Sequence, residues 1–233
     1  MNFKTIEFES LDKLKVTADL YAPHSDSKTP FIVLCHQAGW SRGEYREIAP
    51  KLNTMGFNCL AIDQRSGKGV NKVDNETTKR ATAARKATNF TDAEQDMVAA
   101  IKFVRKNHAK GKVILWGSSY SSALALRIAG ENPKLVDGVL AFAPGEYFVR
   151  FGQPADWVTQ SAKKIACPAF VTSAKNEFKN WSNIFAAIPG DAKVKFLPTT
   201  NGNHGSRALW AEKSDNSAYW AAVTPFLKKF LKS

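Results

Sequence analysis

The chain has 233 residues, 44% of them hydrophobic and 23% charged. That excludes a disordered chain and leaves enough apolar residues for one sizeable core. Lys plus Arg number 33 against 21 Asp plus Glu, a net charge of +12, so the surface is not acidic and a polyanionic partner has to be weighed.

Residues 3–8 and 14–20 alternate in period two. Leu14, Val16, Ala18 and Leu20 share one face and Lys15, Thr17 and Asp19 the other. The pattern predicts a half-buried strand pair at an antiparallel sheet edge. Pro23 to Pro30 is a turn cluster. Phe31 to Cys35 is a continuous apolar run, as in a strand buried on both faces. Tyr45, Ile48, Ala49, Leu52 and Met55 follow at helical spacing and Gly56 closes them. Residues 57–62 form a second buried strand, and 63–91 a long connection. Its 65–90 stretch holds seven Lys and Arg against Asp74 and Glu76, a balance of 7 − 2 = +5. Connections this long are usually functional or poorly ordered.

Residues 92–107 repeat the helical pattern, with His108 placed to favour the helix C-terminal dipole as a cation. Lys112 to Trp116 is a third buried strand and Ala123 to Ala129 an apolar helix. Further strands are predicted at Val136 to Phe142, Ala169 to Ser173 and Ala192 to Leu197. A helix is predicted at Tyr219 to Leu231. Short apolar strands alternating with helices imply an α/β fold. Its sheet is mostly parallel, with an antiparallel leading edge and helices on both faces.

Cys35, Cys59 and Cys167 are an odd, widely spaced set in apolar contexts, which predicts free buried thiols. The N-terminus alternates rather than forming a signal core, and no run reaches 18 apolar residues. A cytoplasmic protein without a membrane span is expected. No metal-ligand spacing occurs, so neither metal nor cofactor is expected.

After the strand ending at Trp116 comes Gly117-Ser118-Ser119-Tyr120-Ser121, then a helix. This differs at one residue from the G-x-S-x-G turn that exposes a nucleophilic serine between strand and helix. Ser119 is the candidate nucleophile. Such a serine needs an imidazole base and an orienting carboxylate. His24 and His108 read as structural or solvated. His204, in the loop between the last strand and the last helix, stands where the base belongs. Glu177 is the first acid after the strand 169–173, and Glu146, past the preceding strand, is its competitor. Chain order favours Glu177.

With these motifs the chain resembles the α/β-hydrolases of the dienelactone-hydrolase-like group over essentially its whole length, 1–233, as a single domain. The resemblance rests on His36-Gln37-Ala38-Gly39, on Gly117 to Ser121, on the strand led by Pro168 and ending before Glu177, and on Asn203-His204-Gly205. It implies a Ser119-His204-Glu177 triad and an oxyanion hole from the backbone N–H groups of Ala38 and Tyr120. Three positions depart from the pattern. Ser119 stands where dienelactone hydrolases proper carry cysteine. Glu177 stands where Asp is usual, and Ser121 replaces a glycine. The serine argues against dienelactone as substrate.

The implied activity is hydrolysis of a small to medium carboxylic ester. Thioesterase, peptidase, acyltransferase and a non-catalytic binding protein are the alternatives. Gln37, Trp40, Glu146 and Tyr147 are candidate substrate-binding residues. Tyr45, Phe148, Phe151 and Trp157 are further aromatics at the expected ligand edge. Residues 144–164 and 63–91 are candidate lid elements, the latter with cations for an anionic substrate. Nucleic acid is not expected as a partner, because the basic 65–90 stretch has Phe90 as its one aromatic and its charges are dispersed.

Overall fold

Strand runs with no polar interruption can lie only between covered faces, and three of them build the sheet centre. The computed structural model describes residues 3–231. Its strands are β1 (Lys4–Glu9), β2 (Lys15–Tyr21), β3 (Phe31–Cys35), β4 (Asn58–Ile62), β5 (Gly69–Val70), β6 (Val73–Asp74), β7 (Val113–Ser118), β8 (Gly138–Phe142), β9 (Ala169–Thr172) and β10 (Lys193–Phe196). Its helices are α1 (Ile48–Thr54), α2 (Glu76–Ala83), α3 (Glu94–Asn107), α4 (Tyr120–Glu131), α5 (Trp157–Ala162), α6 (Ser182–Ala187) and α7 (Asn216–Lys228). Hydrogen-bonded neighbours run β1-β2-β4-β3-β7-β8-β9-β10, with β5 and β6 a separate ribbon. β1 and β2 pair antiparallel, as do β2 and β4, whereas β3/β4, β8/β9 and β9/β10 are parallel. The chain divides into two units at Leu115/Trp116, inside β7.

In the first unit every residue of β3 and β4 is buried. α3 lays Met97, Ala100, Ile101 and Val104 into the core at the expected spacing. β2 departs from its sequence pattern. Thr17 and Asp19, expected in solvent, are buried. The Thr17 amide donates to Thr77 of α2 at 3.0 Å, and Asp19 receives Arg42 at 3.1 Å and Arg46 at 3.4 Å. Elements distant in sequence cover the polar face and bring its partners with them.

The 63–91 connection is likewise no loose loop. It holds the β5/β6 ribbon and α2, whose first turn is capped by Asn75 accepting from the Thr78 amide at 2.8 Å. Its basic residues are largely neutralised. Arg65 is buried between Asp96 at 2.7 Å and Asp12 at 2.9 Å, Lys86 reaches Asp12 at 2.9 Å, Lys79 is held by Asp74 and Glu76, and Arg80 pairs with Glu7. An anionic substrate therefore cannot count on all seven cations.

His108 corrects another expectation. It closes α3 between the rings of Phe31 and Phe103, and desolvation pushes its pKa down, toward the neutral form rather than a dipole-stabilised cation. Tyr45 and Phe148 are core residues rather than ligand-edge aromatics. Tyr45 is fully buried and donates to the Cys35 carbonyl at 2.6 Å. Cys35 and Cys59 are buried free thiols, and Cys167 is free but only partly covered.

In the second unit α4 is buried along most of its length. Trp116 stacks on Phe142 at 4.8 Å and donates its indole N–H to Ser206 Oγ at 2.9 Å. That bond ties the end of β7 to the turn that follows His204.

Candidate active site

The turn from β7 into α4 holds Ser119 at φ 57°, ψ −123°, a backbone conformation that costs energy for any L-residue. Its geometry explains the small residues around it. A Cβ at Gly117 would lie 2.3 Å from the Ser121 carbonyl oxygen, so position 117 tolerates only glycine. Ser121 does have room, and its hydroxyl is used. It accepts from the Ser118 amide and donates to the Ser118 carbonyl, both at 2.9 Å. The serine in place of glycine thus laces the turn together. The Ser119 amide donates to the Phe142 carbonyl at 2.7 Å and fixes the turn to β8.

Three of the sequence-predicted residues meet here. His204 Nε2 lies 2.8 Å from Ser119 Oγ, and His204 Nδ1 lies 2.5 Å from Glu177 Oε1. A carboxylate only accepts, so the Nδ1 nitrogen carries the proton and Nε2 is left to accept from the serine. The second oxygen of Glu177 accepts from the Ala174 amide at 3.1 Å, which locks the carboxylate within the turn Lys175–Asn180. Ser119 is 9% exposed, whereas His204 and Glu177 side chains are 29% and 22% exposed, so small molecules can reach the imidazole. A hydroxyl in this setting can give its proton to the imidazole as it attacks a carbonyl carbon.

Of the other candidates, Tyr147 belongs to this cluster. Its hydroxyl donates to the Ala143 carbonyl at 2.8 Å. Burial, reinforced by the charge of Glu177, pushes its pKa up, so it stays a neutral phenol. Glu146 does not join. Its carboxylate accepts from the Val158 and Thr159 amides at 2.9 and 2.8 Å and from the Thr159 hydroxyl, capping the first turn of α5. Its carboxylate is thus held by α5, whereas the carboxylate at the imidazole is that of Glu177. Tyr120 begins α4, where helix N–H groups converge.

Gln37, Ala38 and Trp40 lie in the first unit, just after β3. This turn is anchored by His36, which is fully buried. Its Nδ1 donates to the Gln37 carbonyl at 2.8 Å, and its Nε2 accepts from the Gln64 amide and from Asn75 Nδ2, each at 3.1 Å. Burial holds its pKa down at about 4, and two N–H donors aimed at Nε2 leave no place for a second proton. The Gln37 amide donates to Glu44 at 2.8 Å.

Sequence reasoning missed the supports of the His204 loop. Tyr219 of α7 donates to the Ser173 carbonyl at 3.0 Å and accepts from the Asn203 amide at 3.2 Å. Asp215 accepts from Asn203 at 3.0 Å and Thr200 at 2.8 Å. Gly202, at φ 72°, would place a Cβ 2.4 Å from the Tyr219 hydroxyl. Position-specific signals were faint: a Gly-Asn-His-Gly run, with its partners in a later helix. Among the described residues no group of three or more His, Cys, Asp or Glu is arranged to hold a metal ion. No helix of these residues is long and apolar enough to cross a membrane.

The chain is similar to known proteins in sequence and in fold. The family model described as serine aminopeptidase, S33, matches residues 26–176. Two curated relatives align in part. The quorum-quenching protein AidA of Acinetobacter baumannii is 27% identical over 133 residues, 56% of this chain and 40% of that protein. The thiohydrolase apmlB of Arthrinium phaeospermum is 29% identical over 152 residues, 64% of this chain and 45% of that protein. The chain thus spans less than half the length of these curated relatives. Two solved structures share the fold at a TM-score of 0.73. The esterase Pf2001 of Pyrococcus furiosus is 17% identical, covering 99% of this chain and 93% of its own. The dienelactone hydrolase of Anabaena variabilis is 16% identical, covering 98% of each. With the family model matched over more than half of its residues and the same fold in an esterase and a dienelactone hydrolase, the chain belongs to this α/β-hydrolase family.

Proposed function

We propose that the chain is a serine hydrolase that cleaves a small to medium carboxylic ester through an acyl-enzyme. The observation that carries this reading is the run Glu177–His204–Ser119, at 2.5 and 2.8 Å. Ser119 Oγ attacks the acyl carbon as His204 takes its proton, and Glu177 holds the imidazole in the required tautomer. The alcohol leaves with the proton returned by His204, and water repeats the sequence to release the acid. The backbone N–H of Tyr120, at the start of α4, is assigned as one oxyanion donor. The Ala38 N–H is assigned as the second, on the resemblance to dienelactone-hydrolase-like proteins. A donor of this kind is worth about 3 kcal/mol in the barrier. Tyr147 keeps a proposed substrate role, because it lies close enough to Glu177 to feel its charge. Gln37 and Trp40 keep a proposed substrate role.

The reading treats 1–233 as one domain, because β7 is a single strand running through the boundary between the two units. The substrate is a small molecule rather than a nucleic acid, since Arg65, Lys79, Arg80 and Lys86 are already held by carboxylates. Three free thiols support a reducing compartment, the cytoplasm.

Thioester hydrolysis is the second reading, favoured by the similarity to a thiohydrolase. Hydrolysis of p-nitrophenyl butyrate and of butyryl thiocholine by the wild type and by Ser119→Ala tests both. Turnover that Ser119→Ala lacks supports the reading, and the ratio of the two substrates ranks ester against thioester. Equal turnover by both proteins removes Ser119 as nucleophile.

A further inference from the structure

Within the first unit, residues 67–83 border an open cavity of about 900 Å³, a volume that suits a small molecule. Val70 and Val73 of the β5/β6 ribbon and Ala83 of α2 give it apolar walls, and Lys68 and Lys72 stand at its rim. Lys79 also lines it, but its ammonium is held by Asp74 at 2.8 Å and Glu76 at 3.0 Å. Lys68 and Lys72 are exposed, and neither side chain has an ion pair among the described residues. The rim therefore keeps two cations that are not already matched.

The backbone at the rim is also unusual. Asn71 and Lys72 connect β5 to β6 with φ 52° and 59°, both left-handed. Two-residue hairpin turns of this hand favour Asn followed by Gly. Asn71 fits, and its side chain donates to the Gly43 carbonyl at 3.0 Å. Lys72 occupies the position where glycine is unstrained. A strained residue that carries a charge at the mouth of a cavity points to a use for the charge.

We propose that this cavity binds an amphipathic carboxylate. Its apolar chain lies against Val70, Val73 and Ala83, and Lys68 and Lys72 meet its carboxylate. Binding is non-covalent and draws on no residue of the Ser119 cluster, so it stands or falls apart from the hydrolase reading.

The test uses the full chain carrying Ser119→Ala, titrated calorimetrically with sodium decanoate, 1-decanol and sodium acetate. Saturable decanoate binding, at least tenfold tighter than either comparator, is expected. A diazirine-bearing decanoate, photolysed and mapped by peptide mass spectrometry, is expected to label residues 67–83. Lys68→Glu with Lys72→Glu should weaken decanoate at least tenfold. Lys72→Gly, which relieves the turn, should weaken it at least threefold without lowering Tm. Label confined to peptides outside 67–83 overturns the assignment. So does decanol binding as tightly as decanoate, or unchanged affinity in Lys72→Gly.

Discussion

Glu177 and His204 meet at 2.5 Å, with the imidazole Nδ1 pointing to one carboxylate oxygen while the other oxygen is spent on the Ala174 amide. The acid is thus held by its own turn before it holds the base. Replacing Glu177 by Gln would present an amide N–H where an acceptor is needed and favour the wrong tautomer. A fall in kcat of roughly 10³- to 10⁴-fold is expected, with the fold intact. Glu146→Gln should instead leave kcat within about threefold and lower stability by about 1–2 kcal/mol, because it weakens the α5 cap. Steady-state kinetics and denaturant unfolding of the two variants give the ranking, and the reverse ranking would move the acid to Glu146.

The elbow makes an asymmetric prediction. Gly117→Ala drives a methyl into the Ser121 backbone and should destabilise by about 3 kcal/mol or more. Ser121→Gly restores the commoner residue, yet it should still cost about 1–2 kcal/mol, because it removes the two hydrogen bonds that the Ser121 hydroxyl makes with the Ser118 amide and carbonyl. Urea unfolding midpoints measure both. A more stable Ser121→Gly would show that the hydroxyl contributes nothing to the turn.

The Tyr219 hydroxyl links the Ser173 carbonyl, four residues before Glu177, to the Asn203 amide, one residue before His204. Tyr219→Phe leaves both groups without that partner. Stability should fall by about 1–2 kcal/mol. A loss of kcat on the order of tenfold is expected from misplacement of the base. If kcat is unchanged while stability falls, the tether supports folding alone.

His36 gives the pH dependence of stability. Its folded pKa is depressed from 6.5 to about 4, so between those values the unfolded chain binds a proton that the folded chain refuses. Stability from this residue is fully present above pH 6.5 and falls as the pH drops toward 4, by about 3 kcal/mol in all. Asp63 acts in the opposite sense over the lower part of that window, since burial raises its pKa to about 6. Comparing the wild type with His36→Gln isolates the histidine. The wild type should lose more stability on acidification, by up to about 1.4 kcal/mol per pH unit. Parallel curves would contradict the assignment of a neutral, buried imidazole.

Much of this was legible in the sequence. Continuous apolar runs marked β3, β4 and β7, and the serine turn announced itself by small residues between a strand and a helix. The order of serine, acid and histidine then ranked Glu177 above Glu146, and the geometry brings Glu177 to the imidazole. What stayed hidden depends on partners far along the chain. Thr17 and Asp19 read as solvent-facing because Thr77, Arg42 and Arg46, which cover them, lie in other elements. The +5 stretch read as a supply of cations for an anionic substrate because Asp12, Asp96 and Glu7, its counter-charges, fall outside it. Tyr45 read as a ligand-edge aromatic because its spacing says nothing of the Cys35 carbonyl it serves. The net charge of +12 thus narrows to what lies beyond those pairs, and at the 67–83 cavity to Lys68 and Lys72.

The central claim is that Ser119 is an activated nucleophile. Labelling the full chain with a fluorophosphonate probe, followed by peptide mapping, measures this directly. Covalent modification at Ser119, abolished in His204→Ala and in Ser119→Ala, is the expected result. No modification, or modification at another serine with Ser119 untouched, would contradict it.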